Sequence, residues 1–166
     1  IYDYRTYVEP HLKTLVDALA GTVPVIYFGT GNYHLLPAVS QLNIDVLAFD
    51  WRTPLKPTWD QLGCTAVQGN LDPIVLCADQ AAVASQSQWL LDQVDGRPGH
   101  IFNLGHGIIP ETPVDNVKFL VDFVHELQDL LVVLLERDHL GRRCERGRLS
   151  LLHRLYFHRT QALSKI

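Results

Sequence analysis

The chain has 166 residues, 47% of them hydrophobic and 19% charged, with a formal net charge of −4. That is about one domain's worth of chain with enough apolar residues for a buried core. It lacks the basic excess that nucleic-acid binding needs, and no apolar run approaches the length of a membrane span.

In chain order, Pro10 to Leu19 reads as a helix with Leu12, Leu15, Val16 and Leu19 on one face. Val23–Phe28 is predicted as a strand ended by Gly29-Thr30-Gly31, and Leu35 to Leu42 as a short helix. Asp45–Trp51 is a second strand, Ala66–Asn70 a shorter and more polar third, and His100–Leu104 a fourth. Their apolar runs are continuous rather than alternating, which suits parallel strands covered on both faces. Asp79 is placed to cap a helix running to Val94, with Val83, Leu90, Leu91 and Val94 turned inward. Thr112 is predicted as the N-cap of a last helix, with Pro113 at its first position and Val117, Leu120, Val121 and Val124 as its apolar stripe. Four strand–helix units make an α/β protein with a parallel sheet. They fill a small open sheet or half of a (β/α)8 barrel, and the pattern alone leaves both open.

After Glu126 the character changes. Residues 1–127 hold 6 Lys/Arg against 14 Asp/Glu, a net of −8, and residues 128–166 hold 8 against 4, a net of +4. This predicts two segments, 1–127 and 128–166, the second a basic helical tail. Its Arg142, Arg143, Arg146 and Arg148 read as a solvated face. The chain opens on Ile1 and contains no methionine, so it is expected to be a fragment, the alternative being a processed product. Cys64, Cys77 and Cys144 form no C-x-x-C pair, which points to reduced thiols in a cytoplasmic protein.

Polar residues gather at the ends of the four strands: Thr30 and Asn32, then Asp50 and Arg52, then Gln68, Asn70 and Asp72, then Asn103 and His106. In parallel α/β folds that edge carries the site. Asp72-Pro73 reads first as a helix cap. Asp50 is either a general base or the partner of Arg52 in a local ion pair. His106 is the strongest candidate, because Gly105 and Gly107 allow close backbone approach or positive φ and an imidazole can donate to a carboxylate or carry a proton. His34, Cys64, Cys77 and His106 have no metal-ligand spacing. Gly29-Thr30-Gly31 lacks the rest of a dinucleotide or phosphate loop.

Four blocks, in order, resemble the C-terminal part of the uroporphyrinogen decarboxylases. They are Val23–Gly31, Ala48-Phe49-Asp50-Trp51-Arg52, Gln68-Gly69-Asn70-Leu71-Asp72-Pro73, and Asn103 to Pro113 followed by Val121–Glu126. The resemblance covers residues 1–127 and leaves the tail unmatched. It implies the last four units of a distorted (β/α)8 barrel in a cytoplasmic homodimer. It also implies cofactor-free and metal-free removal of the four acetate carboxyls of uroporphyrinogen III, giving coproporphyrinogen III in haem biosynthesis. Only His106, matching the family's Gly-His-Gly histidine, carries a substrate-binding role into this chain. The family's catalytic aspartate and carboxylate-holding arginines fall outside it, so the chain alone is expected to be inactive, and poorly folded or self-associating. Besides a flavodoxin-like binding domain, which fits the strand–helix pattern but not the family blocks, two other readings compete. One is a non-catalytic half-barrel interaction module. The other is a corrinoid or methylthiol methyltransferase of the same superfamily, which would need a zinc held by His and Cys.

Overall fold

The computed structural model of the protein describes residues 1–138, with side-chain surroundings for residues 1–127. The chain divides into two compact units, Ile1–Leu127 and Gln128–Ile166, and the first carries the sheet.

A π-helical turn, Tyr4–Val8, leads into α1 (Glu9–Leu19). Four strand–helix units follow: β1 (Ile26–Phe28) with α2 (Leu36–Val39), β2 (Val46–Ala48) with α3 (Leu55–Leu62), β3 (Val67–Gln68) with α4 (Gln80–Val94), and β4 (His100–Ile101) with α5 (Val114–Asp138). All strands are parallel and lie in the order β1-β2-β3-β4. A doubly wound sheet reverses its strand order at a switch point. This one does not, so the units are those of half a (β/α)8 barrel rather than of a small open sheet.

The register sets Tyr27 beside Leu47, Leu47 beside Val67, and Val67 beside His100. Leu47, Phe49 and Val67 join one core with Leu36, Val39, Leu55, Trp59, Val83, Leu90, Leu120 and Val124 from the helices. The alternate residues behave differently. Ile26 and Phe28 on β1 are each 46% exposed. Cover on both faces was the expectation, but only the helix side of β1 is packed among the described residues. The apolar run of this strand is thus suited to a second layer that residues 1–127 do not supply.

Helix ends follow the caps, with exceptions. Asp79 accepts from Ala82 N at 2.8 Å and starts α4, whose Val83, Leu90 and Val94 are buried while Leu91 is half-buried. The last helix begins one residue later than expected. Val114 opens it, and the Pro113 carbonyl accepts from Asn116 and Val117. The helix α1 is mostly solvated, since Val16 is buried but Leu15 and Leu19 are exposed. The sequence named no helix between the second and third strands. There α3 buries Leu55 and Trp59 and ends on Gly63 in the left-handed conformation. The tail continues α5 as far as Asp138, and the arginine cluster lies outside the described residues.

One contact shows how tightly the strand ends meet. A Cβ on Gly105 would lie 2.2 Å from Trp51 N and 2.7 Å from Trp51 Cα. Those are backbone atoms, which cannot swing aside. Gly105→Ala should therefore destabilise the fold by about 3 kcal/mol, an overpacking cost, with a matching drop in the urea midpoint. Gly107→Ala faces open space and should leave the midpoint nearly unchanged.

Candidate active site

The C-terminal strand edge is organised around Asp50, which is 1% exposed. Its carboxylate accepts from Gly31 N at 2.6 Å, from Arg52 N at 3.1 Å and from Thr53 Oγ1 at 2.9 Å. Gly31 reaches it because a φ of +64° turns its N–H inward. The third strand ties in through Asn70, whose Nδ2 donates to Asp50 O and Thr53 O, both at 2.7 Å. The fourth ties in through Gly105 N, which donates to Leu71 O at 2.7 Å. Asp50 is thus a latch across strand ends. Three of the protein's own donors hold its carboxylate, and among the described residues it makes no ion pair with Arg52, which corrects the ion-pair expectation.

Arg52 turns elsewhere. Its guanidinium carbon sits 3.7 Å from the centre of the Trp51 ring. The His106 ring meets the same indole edge-on, with centroids 5.6 Å apart and planes at 90°. Arg52 and His106 are both exposed. The ring nitrogens of His106 make no hydrogen bond among the described residues. The two glycines beside it do not take positive φ. Gly105 serves backbone contact with Trp51, and Gly107 is open.

Asp72, Asn103 and Asn32 bond to the protein's own groups. Asp72 caps the 3-10 turn Pro73–Cys77, accepting from Ile74 N at 3.0 Å as its sequence predicts. Asn103 accepts from Leu104 N, and the buried Asn32 donates to the Tyr27 hydroxyl at 3.3 Å. Gln68 stays within β3 and Thr30 is exposed. Among the described residues, no three His, Cys, Asp or Glu side chains converge as a metal site would require.

Sequence reasoning missed a cleft of about 340 Å³ beside this edge. Trp51, Arg52 and Asp72 line its rim side, and Trp89, Gln86 and Gln93 of α4 face them. Trp89 is 60% exposed. A tryptophan lying off the apolar stripe of α4 was the available signal.

His100 also went unremarked. It packs against Trp59 and Phe102 and donates from Nε2 to the Gly69 carbonyl at 2.6 Å. Burial holds its pKa below the ordinary 6.5, with the Gly69 bond opposing that in part.

Sequential parallel strand–helix units in unreversed order define half of a (β/α)8 barrel. The match to known proteins is specific. The model of the uroporphyrinogen decarboxylase (URO-D) family fits residues 2–127. The chain belongs to that family. It is 50% identical to the uroporphyrinogen decarboxylase of Koribacter versatilis over 135 residues, covering 80% of this chain and 38% of the relative. It is 47% identical to a uroporphyrinogen decarboxylase of Thermus thermophilus over 126 residues, covering 75% and 37%. The chain therefore spans less than two-fifths of the length of these relatives. A methyltransferase from Methanosarcina mazei matches in structure with a TM-score of 0.64 at 19% identity, over 75% of this chain and 37% of that one. That likeness speaks to fold alone.

Two outcomes follow. Asp50→Ala strands the buried donors that its carboxylate satisfies and should cost about 3 kcal/mol in urea unfolding. His100 fixes the sign of a pH effect. As pH falls through 6.5 the unfolded chain takes up a proton that the folded chain refuses, so stability is fully present above 6.5 and declines below it. His100→Gln should flatten the stability profile between about pH 7 and pH 5.

Proposed function

We propose that residues 1–127 form the closing strand edge of a uroporphyrinogen decarboxylase, with His106 in the substrate cleft. In that reaction the bond between each acetate methylene and its carboxylate breaks and CO2 leaves. A proton takes its place, so –CH2–COO⁻ and H⁺ give –CH3 and CO2. The balance calls for no external electron acceptor, in keeping with cofactor-free catalysis. A protonated pyrrole must be stabilised as charge develops. The family resemblance assigns that task to an aspartate beyond this chain.

The observation that carries the reading is His106. It stands on the rigid Asn103–Gly105 segment, edge-on to Trp51, with its ring nitrogens unengaged by the described residues. Such a ring can donate to a carboxylate or to a developing charge. The half-exposed Ile26 and Phe28, and the coverage of 38% or less of the relatives named above, support a second part of the barrel as necessary for turnover. Homodimeric assembly and the cytoplasm as its place of action rest on the family alone.

The test is a chimera in which residues 2–127 replace the matching segment of the Koribacter versatilis enzyme. It should convert uroporphyrinogen III to coproporphyrinogen III, while the 166-residue chain alone should not. In the chimera, His106→Asn should raise KM about tenfold, the worth of one hydrogen bond to a charged group. Turnover by the chain alone, or a KM indifferent to His106, would contradict the proposal.

A further inference from the structure

Residues 1–127 contain six cations, and four of them are already committed. Lys13 pairs with Asp17, Lys56 and Arg97 with Asp60, and Lys118 with Asp115. Arg97 lies over the Trp59 ring, 4.0 Å from its centre. Arg5 sits on the N-terminal helical turn. Arg52 alone stands at the C-terminal strand edge, and among the described residues its guanidinium has no carboxylate at ion-pair distance. Its own N–H is fixed to Asp50, and its side chain is fixed by stacking on Trp51.

A guanidinium held over an indole face by cation–π attraction keeps N–H groups free for another partner. Such groups grip a carboxylate with two parallel hydrogen bonds. Beside Arg52 lies the 340 Å³ cleft, with apolar walls from Leu55, Leu71, Val75 and Leu90. The cleft is also lined by Gln86 and Gln93 of α4. Asp72 shares the cleft and keeps its charge while capping Ile74 N, so an acidic arm has to engage Arg52 on the side away from it. A cation held over an indole beside apolar walls suits an acidic arm on a flat apolar ring.

We propose that Arg52, positioned by Trp51, is a carboxylate-binding residue, and that the cleft beside it receives one acidic arm of the substrate. This rests on the decarboxylase reading above and assigns a residue to it beyond His106. Acetate and propionate arms present the same carboxylate. An acetate arm loses it in the product, and a propionate arm keeps it.

The chimera described above separates these possibilities. Arg52→Gln should raise KM for uroporphyrinogen III about tenfold with kcat within about twofold, and Arg52→Lys should recover part of the loss. The melting temperature should not move. Product inhibition by coproporphyrinogen III should weaken in step if the arm is a propionate, and should stay unchanged if it is an acetate. Quenching of tryptophan fluorescence by uroporphyrin, the oxidised form, reads binding without turnover and should require more ligand in Arg52→Gln. An active chimera with KM and quenching indifferent to Arg52→Gln would overturn this inference alone. A folded chimera that neither turns over uroporphyrinogen III nor binds uroporphyrin would overturn the decarboxylase reading and the inference with it.

Discussion

The strand edge depends on one buried carboxylate. Burying such a group is costly unless every oxygen finds a donor. Asp50 meets that demand by gathering Gly31 N from the end of β1 and Arg52 N and Thr53 Oγ1 from the end of β2. Asn70 extends the network from β3 by donating to two carbonyls of the same loop. Three loops that would otherwise move independently are thereby held as one surface. Gly105 completes it, since only a residue without a Cβ lets the fourth loop lie directly on the Trp51 backbone.

This rigidity matters because the two side chains proposed to bind substrate are not on the latch but supported by it. Trp51 follows Asp50 in sequence, and its ring carries Arg52 over its face and meets the His106 ring at a right angle. A permanent cation and a titratable ring are thus held on one indole by contacts that need no ligand. Preorganised groups of this kind lose less entropy on binding than mobile side chains do. The open side of β1 has the opposite character. Ile26 and Phe28 gain nothing from their exposure, and they mark where further structure would stabilise the sheet.

Much of this was legible in the sequence. Apolar runs located all four strands, and Asp79 and Asp72 announced their caps correctly. The choice between barrel and open sheet was not legible, because strand order is a property of the sheet rather than of any run. The short helix Leu55–Leu62 was missed because its single turn-spaced trio, Leu55, Trp59 and Leu62, is brief and interrupted by Pro57. At the candidate site, residue types gathered the polar groups at one edge but did not show how they pair. Asp50 and Arg52 are two apart and of opposite charge, which suggests an ion pair. The backbone donors of Gly31 and Arg52 claimed the carboxylate instead, and the guanidinium found Trp51. Such backbone donors leave no trace in sequence spacing.

Residue-resolved amide hydrogen exchange tests the latch most directly. The Gly31, Arg52 and Gly105 amides lie in loops, where exchange is ordinarily fast. If Asp50 and its neighbours lock the strand ends together, these three amides should exchange as slowly as those of Phe49 and Val67 in the sheet. Fast exchange at Gly31 and Arg52, with Phe49 and Val67 still protected, would contradict the account.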